Sequence, residues 1–179
     1  MLADEVRACT RCPELAATRT QVVVGSGPPD ARLVVVGEAP GAVEDETGTP
    51  FVGRSGQLLD KLLDEVGLPR ARVAVINTVK CRPPGNRLPT RSETANCRPW
   101  TTRQLAELSP ELVLTLGLSA ATWFLGRTTL GAVRGRVHEV AGRRILPTYH
   151  PAAALRGGPR GEAMTRLRED LALAVRLVA

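Results

Sequence analysis

The sequence predicts an α/β protein, a three-layer α/β/α sandwich around a central, mostly parallel four-stranded sheet. Three observations carry this. First, Arg32-Leu-Val-Val-Val36, Val73-Ala-Val-Ile76 and Leu112-Val-Leu-Thr-Leu116 are continuous apolar runs, the signature of strands buried on both faces. Second, each run is followed by a helical segment, from Ser55, from Ser92 and from Ser119, the first with its apolar residues at helical spacing. Third, the resulting order, βαβαβα, contains no internal repeat and no low-complexity linker, which favours a single parallel sheet covered by helices on both sides.

Arg32 to Val36 ends at Gly37 in a turn-rich segment holding Pro40, Gly41, Gly48 and Pro50. From Ser55 the period lengthens. Leu58, Leu59, Leu62, Leu63 and Val66 share one helical face, and Gly67 stops the helix. Val73 to Ile76 leads into a loop from Arg82 to Pro89. Ser92 with Glu93 marks the start of a second helix reaching about Leu108, with Pro99 as a candidate break. Beyond the third strand, Ser119 to Leu125 is a short helix. Val137 to Val140 and Arg144 to Pro147 form a small hairpin around Gly142 that leads into Tyr149-His150-Pro151. In the tail, Met164, Leu167, Leu171, Val175 and Val178 lie at helical spacing, with Arg166, Arg168 and Arg176 off the stripe. In open parallel sheets ligands bind beyond the carboxyl ends of the strands. The segments after Val36, Ile76 and Leu146 are therefore expected to converge.

A length of 179 residues suits one domain over residues 1-179, since a second core needs roughly another hundred residues. A hydrophobic content of 43% excludes wholesale disorder. The longest uncharged stretch, Leu112 to Gly126, is interrupted by Thr, Ser and Gly and falls short of the ~20 apolar residues that span a bilayer. The N-terminal MLADEVRACTRC carries acidic residues and no apolar core, unlike a secretory signal. The expectation is a soluble, cytoplasmic protein with no membrane partner. The 24 basic residues exceed the 18 acidic ones by six, and only Lys61 and Lys80 are lysines. Such a surface permits a polyanionic partner, and arginine grips phosphate bidentately. Five aromatics, Phe51, Trp100, Trp123, Phe124 and Tyr149, are too few for a base-stacking sheet.

The four cysteines form a pattern: Cys9-x-x-Cys12, then Cys81, then Cys97. The tight first pair places two thiolates on one metal or cluster, the others coming from elsewhere in the fold. Disulfides fit poorly with a cytoplasmic compartment. A redox pair fits poorly because Cys9 precedes the first strand instead of opening a βα unit. Zinc and an iron–sulfur cluster both remain; the wide Cys81 to Cys97 interval favours the larger cluster.

Three loops carry unusual chemistry. Gly37 to Asp45, running on to Gly53, brings Glu38, Glu44 and the ring of Phe51 to a strand end. Taken singly, each carboxylate reads as a solvated charge or helix cap. Asn77 ends the second strand, where its amide offers both a donor and an acceptor, although such an asparagine is commonly only a turn residue. His150 follows the last strand at the functional end, whereas His138 reads as structural.

Taken together and in this order, the motifs resemble the family 4 uracil-DNA glycosylases, the iron–sulfur branch of the uracil-DNA glycosylase superfamily. The likeness rests on CxxC at Cys9 and Cys12, GEAPG from Gly37 to Gly41 and PFVG from Pro50 to Gly53. It continues with NxxKCRPPxNRxP from Asn77 to Pro89, Cys97 before Arg98-Pro99-Trp100, and HPAxxLR from His150 to Arg156. It implies a [4Fe-4S] cluster on Cys9, Cys12, Cys81 and Cys97, which ties in the N-terminal segment of about residues 1-30. It implies hydrolysis of the N-glycosidic bond of uracil in single- or double-stranded DNA, by base flipping, within the base-excision pathway of DNA repair. Phe51 would then stack on uracil, Asn77 read its polar edge beside Glu38 and Ala39, and His150 donate a hydrogen bond to its carbonyl. The best-known branch uses an aspartate to position the water where this chain has Ala39. That leaves Glu38 as the first candidate for the catalytic carboxylate, with Glu44 as alternate or as partner to Asn86. On the DNA side the resemblance implies Asn86, Arg87, Leu155 and Arg156, Leu155 as a wedge on a minor-groove loop and Arg156 on a phosphate. The protein is expected to act as a monomer.

Two other readings compete. A sister branch bonds covalently to the abasic sugar through a histidine on a basic insertion; between Arg82 and Asn96 this chain has neither. A non-catalytic iron–sulfur DNA-binding domain of the same fold has no need of Glu38, Phe51, Asn77 and His150 together.

Overall fold

The structure is a computed structural model covering residues 1–179. Its centre is a sheet of β1 (Leu33–Gly37), β2 (Val73–Asn77), β3 (Leu112–Leu116), β4 (His138–Val140) and β5 (Arg143–Thr148), ordered β2-β1-β3-β5-β4. The neighbours among β2, β1, β3 and β5 pair in parallel, and β4 pairs antiparallel with β5. The sheet thus has five strands, one more than expected. The first arm of the hairpin around Gly142 is itself a sheet strand, because its three residues pair with Arg143, Arg144 and Ile145 and cap the edge.

Each central strand is buried along its length, and its residues alternate between two cores. Leu33, Val35, Val73, Val75, Leu112 and Leu114 face the helices α4 (Arg54–Glu65), α8 (Pro151–Gly157) and α9 (Glu162–Val178). Val34, Val36, Ala74, Ile76 and Val113 face α5 (Arg91–Leu108) and α6 (Gly117–Leu125). Apolar contacts on both faces explain why these strands read as continuous runs rather than alternating ones.

Helix α5 reaches Leu108 as expected and passes through Pro99, the candidate break, without ending. Its start is fixed by a capping box in which Thr90 Oγ accepts from the Glu93 N–H and the Glu93 carboxylate accepts from the Thr90 N–H. Its inner face is anchored by Cys97, Trp100, Thr101, Gln104 and Leu105, and Pro99 sits on the exposed side. Three further helices lie where the sequence reading assigned none, α1 (Leu2–Arg7), α2 (Pro13–Thr18) and, within the turn-rich segment after β1, α3 (Ala42–Thr47), while α7 (Leu130–Val133) is a single turn. Residues 20–26 run along the outer edge of β2, where Ser26 exchanges main-chain hydrogen bonds with Val75. No helix is long and apolar enough to cross a membrane.

Candidate functional site

A cleft of about 1240 Å³ opens at the carboxyl ends of the parallel strands. It gathers Glu38 and Ala39 after β1, Asn77 at the end of β2, Gly117 after β3 and His150 after β5, with Phe51 beside them. The three expected segments therefore meet, as strand-end topology dictates.

Phe51 is buried and adopts φ +54°, a left-handed conformation that costs a bulky residue of order 1–3 kcal/mol. Arg70, which the sequence did not single out, holds it there. Its guanidinium donates to the main-chain oxygens of Pro50 at 2.7 Å and Phe51 at 3.4 Å, to Ser26 Oγ at 3.3 Å and to the Asp60 carboxylate at 2.9 Å. Two glycines leave room for the turn. A methyl group on Gly56 would sit 1.9 Å from the Phe51 carbonyl oxygen, and one on Gly37 would sit 2.5 Å from both the Phe51 ring and Asn77 Oδ1. The Phe51 ring lies 5.7 Å from the His150 ring, centroid to centroid.

Asn77 is buried, and its Oδ1 has no hydrogen-bond partner. An amide oxygen left unpaired inside a protein is costly unless a ligand satisfies it. Its main-chain oxygen, by contrast, accepts from the ammonium of Lys80 at 2.5 Å and from Thr101 Oγ. Burial lowers the Lys80 pKa to about 8.

His150 is the N-cap of α8, and its Nδ1 accepts from the Ala152 N–H at 3.0 Å. The ring proton therefore sits on Nε2. Burial, with a smaller contribution from the Arg156 charge, lowers the His150 pKa to about 4, so the imidazole is neutral at physiological pH. His138 is tied to the Val133 carbonyl at 2.8 Å and lies outside the cleft lining.

The two loop carboxylates differ. Glu44 Oε1 accepts from the N–H groups of Val52 (3.0 Å) and Gly53 (2.8 Å), and its Oε2 accepts from Gly41 N–H (3.2 Å). It staples the GEAPG turn to the PFVG turn and makes no hydrogen bond with Asn86, whose Oδ1 instead accepts from Arg82 Nε at 2.7 Å. The Glu38 carboxylate is half-buried in the cleft and receives no hydrogen bond from the protein.

Among the residues expected at DNA, Asn86, Arg87 and Arg156 line the cleft and Leu155 does not. Arg87 is engaged within the protein, bridging Glu93 (2.8 and 2.9 Å) and Glu14 (3.2 Å). This pairing holds the Glu93 pKa near 2. Leu155 and Arg156 lie on a helix, α8, rather than on a loop. Three cleft arginines that the sequence reading missed, Arg54, Arg91 and Arg98, form no ion pair; Arg98 lies over the Trp123 ring at 4.1 Å. The signal for two of them was available, because Arg91, Thr94, Ala95 and Arg98 form one stripe on α5.

The four cysteines line a second cavity, walled by Val6, Leu15, Val22, Val79 and Trp100. All four are free thiols. Each sulfur receives one donor: Trp100 Nε1 to Cys9 (3.2 Å), Asn96 Nδ2 to Cys12 (3.8 Å), Arg19 to Cys81 (3.2 Å) and the Lys80 N–H to Cys97 (3.3 Å). Burial raises the pKa values of Cys12, Cys81 and Cys97, the last to about 11. No three metal-binding side chains close upon a single point. The four cysteines thus give one cavity an all-thiol donor set, and each sulfur accepts one hydrogen bond.

A family model described as the uracil DNA glycosylase superfamily matches residues 24–172. A type-4 uracil-DNA glycosylase of Thermotoga maritima is 43% identical over 159 residues, covering 87% of this chain and 82% of its own. That of Saccharolobus solfataricus is 42% identical, covering 89% and 78%. A type-5 uracil-DNA glycosylase of Pyrobaculum aerophilum is 34% identical, covering 80% and 78%.

Proposed function

The chain belongs to the uracil DNA glycosylase superfamily, and on that premise we propose how its cleft performs the reaction. The protein is a DNA-repair hydrolase that cleaves the bond between uracil and deoxyribose and leaves an abasic site. A base inside a duplex is out of reach, so the nucleotide is extruded into the cleft.

The observation that carries the reading is the buried, unpaired Asn77 Oδ1 beside Phe51 and His150. Uracil stacks on Phe51. Its N3–H donates to Asn77 Oδ1 while the Asn77 amide donates to O4. Cytosine carries an acceptor at N3 and a donor at C4, so both contacts would oppose like groups, at ~1–3 kcal/mol for each polar group left unpaired. As the glycosidic bond breaks, negative charge grows on the uracil ring and positive character on the sugar. The neutral His150 then donates from Nε2 to the uracil O2, a preorganised donor worth ~3–4 kcal/mol to the transition state. Its proton is already on the correct nitrogen, because Nδ1 is committed to Ala152.

Glu38, with its carboxylate free, takes the place of the missing aspartate at Ala39. It orients the water that adds to the sugar and faces the developing positive charge. Glu44 acts as a positioning residue, keeping the two turns together through three main-chain N–H groups. Arg156, Asn86 and the unpaired Arg54, Arg91 and Arg98 meet the phosphates, and Leu155 supports the strand from α8.

Cys9, Cys12, Cys81 and Cys97 would hold a [4Fe-4S] cluster. When bound, it supplies a crosslink and no electron, since hydrolysis moves none. The four sulfurs join the segment between α1 and α2, the segment just after β2 and α5, so residues 1–179 act as one unit with the N-terminal segment fastened to it. Cysteines committed to a cluster rather than to disulfides suit a reducing cytoplasm, and the enzyme works there as a monomer on single- or double-stranded DNA.

The test is an oligonucleotide carrying one uracil, incubated with sub-stoichiometric protein and then hot alkali, against a thymine control. Cleavage at uracil alone, with turnover, is expected. An intact strand from cluster-loaded protein would overturn the reading, and a stable protein–DNA adduct without turnover would point to the covalent branch.

A further inference from the structure

We propose that Leu88 is a wedge that enters the base stack of duplex DNA beside the extruded nucleotide; this rests on the uracil-excision reading above. Leu88 is 73% exposed, against 37% for Leu155, and of the two only Leu88 lines the cleft. An isolated apolar side chain on a surface is ordinary. The pedestal of Leu88 is not. Three prolines, Pro83, Pro84 and Pro89, restrict its loop, and Gly85 and Asn86 at positive φ fold it into a tight turn. Arg82 Nε locks the Asn86 side chain. Arg87 bridges Glu93 and Glu14 while donating to the Leu88 carbonyl at 3.1 Å.

This bracing removes the loop's freedom to fold Leu88 inward. The side chain stays in water although the fold gains nothing from its being there. Arg91 and Arg98, neither of them in an ion pair, line the same cleft as Leu88, Arg98 being held by the Trp123 carbonyl at 3.2 Å, so the matching partner is a polyanion with an apolar interior, which is stacked duplex DNA. Extruding a base leaves a gap in the stack, and an apolar wedge placed there keeps the neighbouring pairs from closing. Single-stranded DNA has no such gap to fill, so the contribution of Leu88 belongs to the duplex alone.

The test compares Leu88→Ala with wild type in single-turnover excision of uracil from a single strand and from a duplex. The expected result is an unchanged single-strand rate and a duplex rate lower by about tenfold or more, the scale of losing one buried leucine contact. Leu88→Met should restore most of the duplex rate. A second readout needs no chemistry: 2-aminopurine beside the uracil should brighten when wild type binds the duplex and stay dim with Leu88→Ala. If wild type fails to release uracil, the functional reading fails while the fluorescence still decides the wedge. Equal loss on both substrates would overturn the proposal. So would an unchanged duplex rate with unchanged brightening, or a duplex-selective loss confined to Leu155→Ala.

Discussion

Replacing Gly37 by alanine adds one methyl group at the base of the cleft. The methyl would lie 2.5 Å from two ring carbons of Phe51 and 2.5 Å from Asn77 Oδ1, where carbon atoms rest at about 3.5–4.0 Å. Something must move by about 1 Å. The strand cannot, since Gly37 pairs with Asn77 in β2 and the rest of β1 is also paired with β3. The Phe51 main chain is equally fixed, because Arg70 holds the Pro50 and Phe51 carbonyls. The Phe51 ring and the Asn77 amide are left to give way, and these are the two groups proposed to seat uracil. Overpacking of this kind costs about 1–3 kcal/mol, or roughly 2–12 °C in melting temperature for a chain of this size. A 1 Å misplacement of a positioned group costs about a hundredfold in rate. Thermal melting and single-turnover excision measure the two effects separately. A variant that melts a few degrees lower yet cuts uracil at the wild-type rate would refute the assignment of Phe51 and Asn77 to the uracil seat.

His150→Ala should slow excision about 100- to 1000-fold with DNA affinity almost unchanged, measured by single-turnover kinetics beside a binding titration. The lowered pKa makes His150 neutral well into acid: protonation in the native state centres near pH 4, against 6.5 in the unfolded chain. Stability linked to the neutral ring is complete above pH 6.5 and is lost as pH falls through 4, and histidine ¹⁵N spectra at pH 5.5 should still show Nδ1 unprotonated. Cys97→Ala should yield colourless protein with a depressed melting temperature, seen by visible absorption and calorimetry; a brown variant of full stability would exclude Cys97 as a ligand. Glu38→Gln should lower kcat without lowering the melting temperature. Glu44→Gln should lower the melting temperature, because an amide accepts the three main-chain N–H groups less well than a carboxylate does.

Helix α5 shows where local rules and the fold part company. Ser92 looked like its first residue and Pro99 like its break. The fold instead uses Thr90, because only a cap three residues before Glu93 closes the capping box. It runs through Pro99, because buried contacts on both sides of that turn outweigh the one missing hydrogen bond. Short helices such as α1, α2 and α3 give no periodicity to read; tertiary contacts around the cysteine cavity and the Glu44 staple hold them.

The sequence by itself determined the parallel sheet, the order of its central strands and helices, and the meeting of three loops at one end. Those features follow from local pattern: continuous β-branched runs demand burial on both faces, and strand-end topology then leaves only one side for a ligand. Residue types and spacing also marked Phe51, Asn77, His150 and the cysteine set. Which atoms are free was decided only in three dimensions. Glu44 and Arg87 looked as available as Glu38 and Arg156, yet main-chain donors occupy the first and two carboxylates the second. Arg70 gave no sequence signal, because it grips carbonyls 19 and 20 residues away, and a hydrogen bond to main-chain oxygen leaves no trace in the partner's identity.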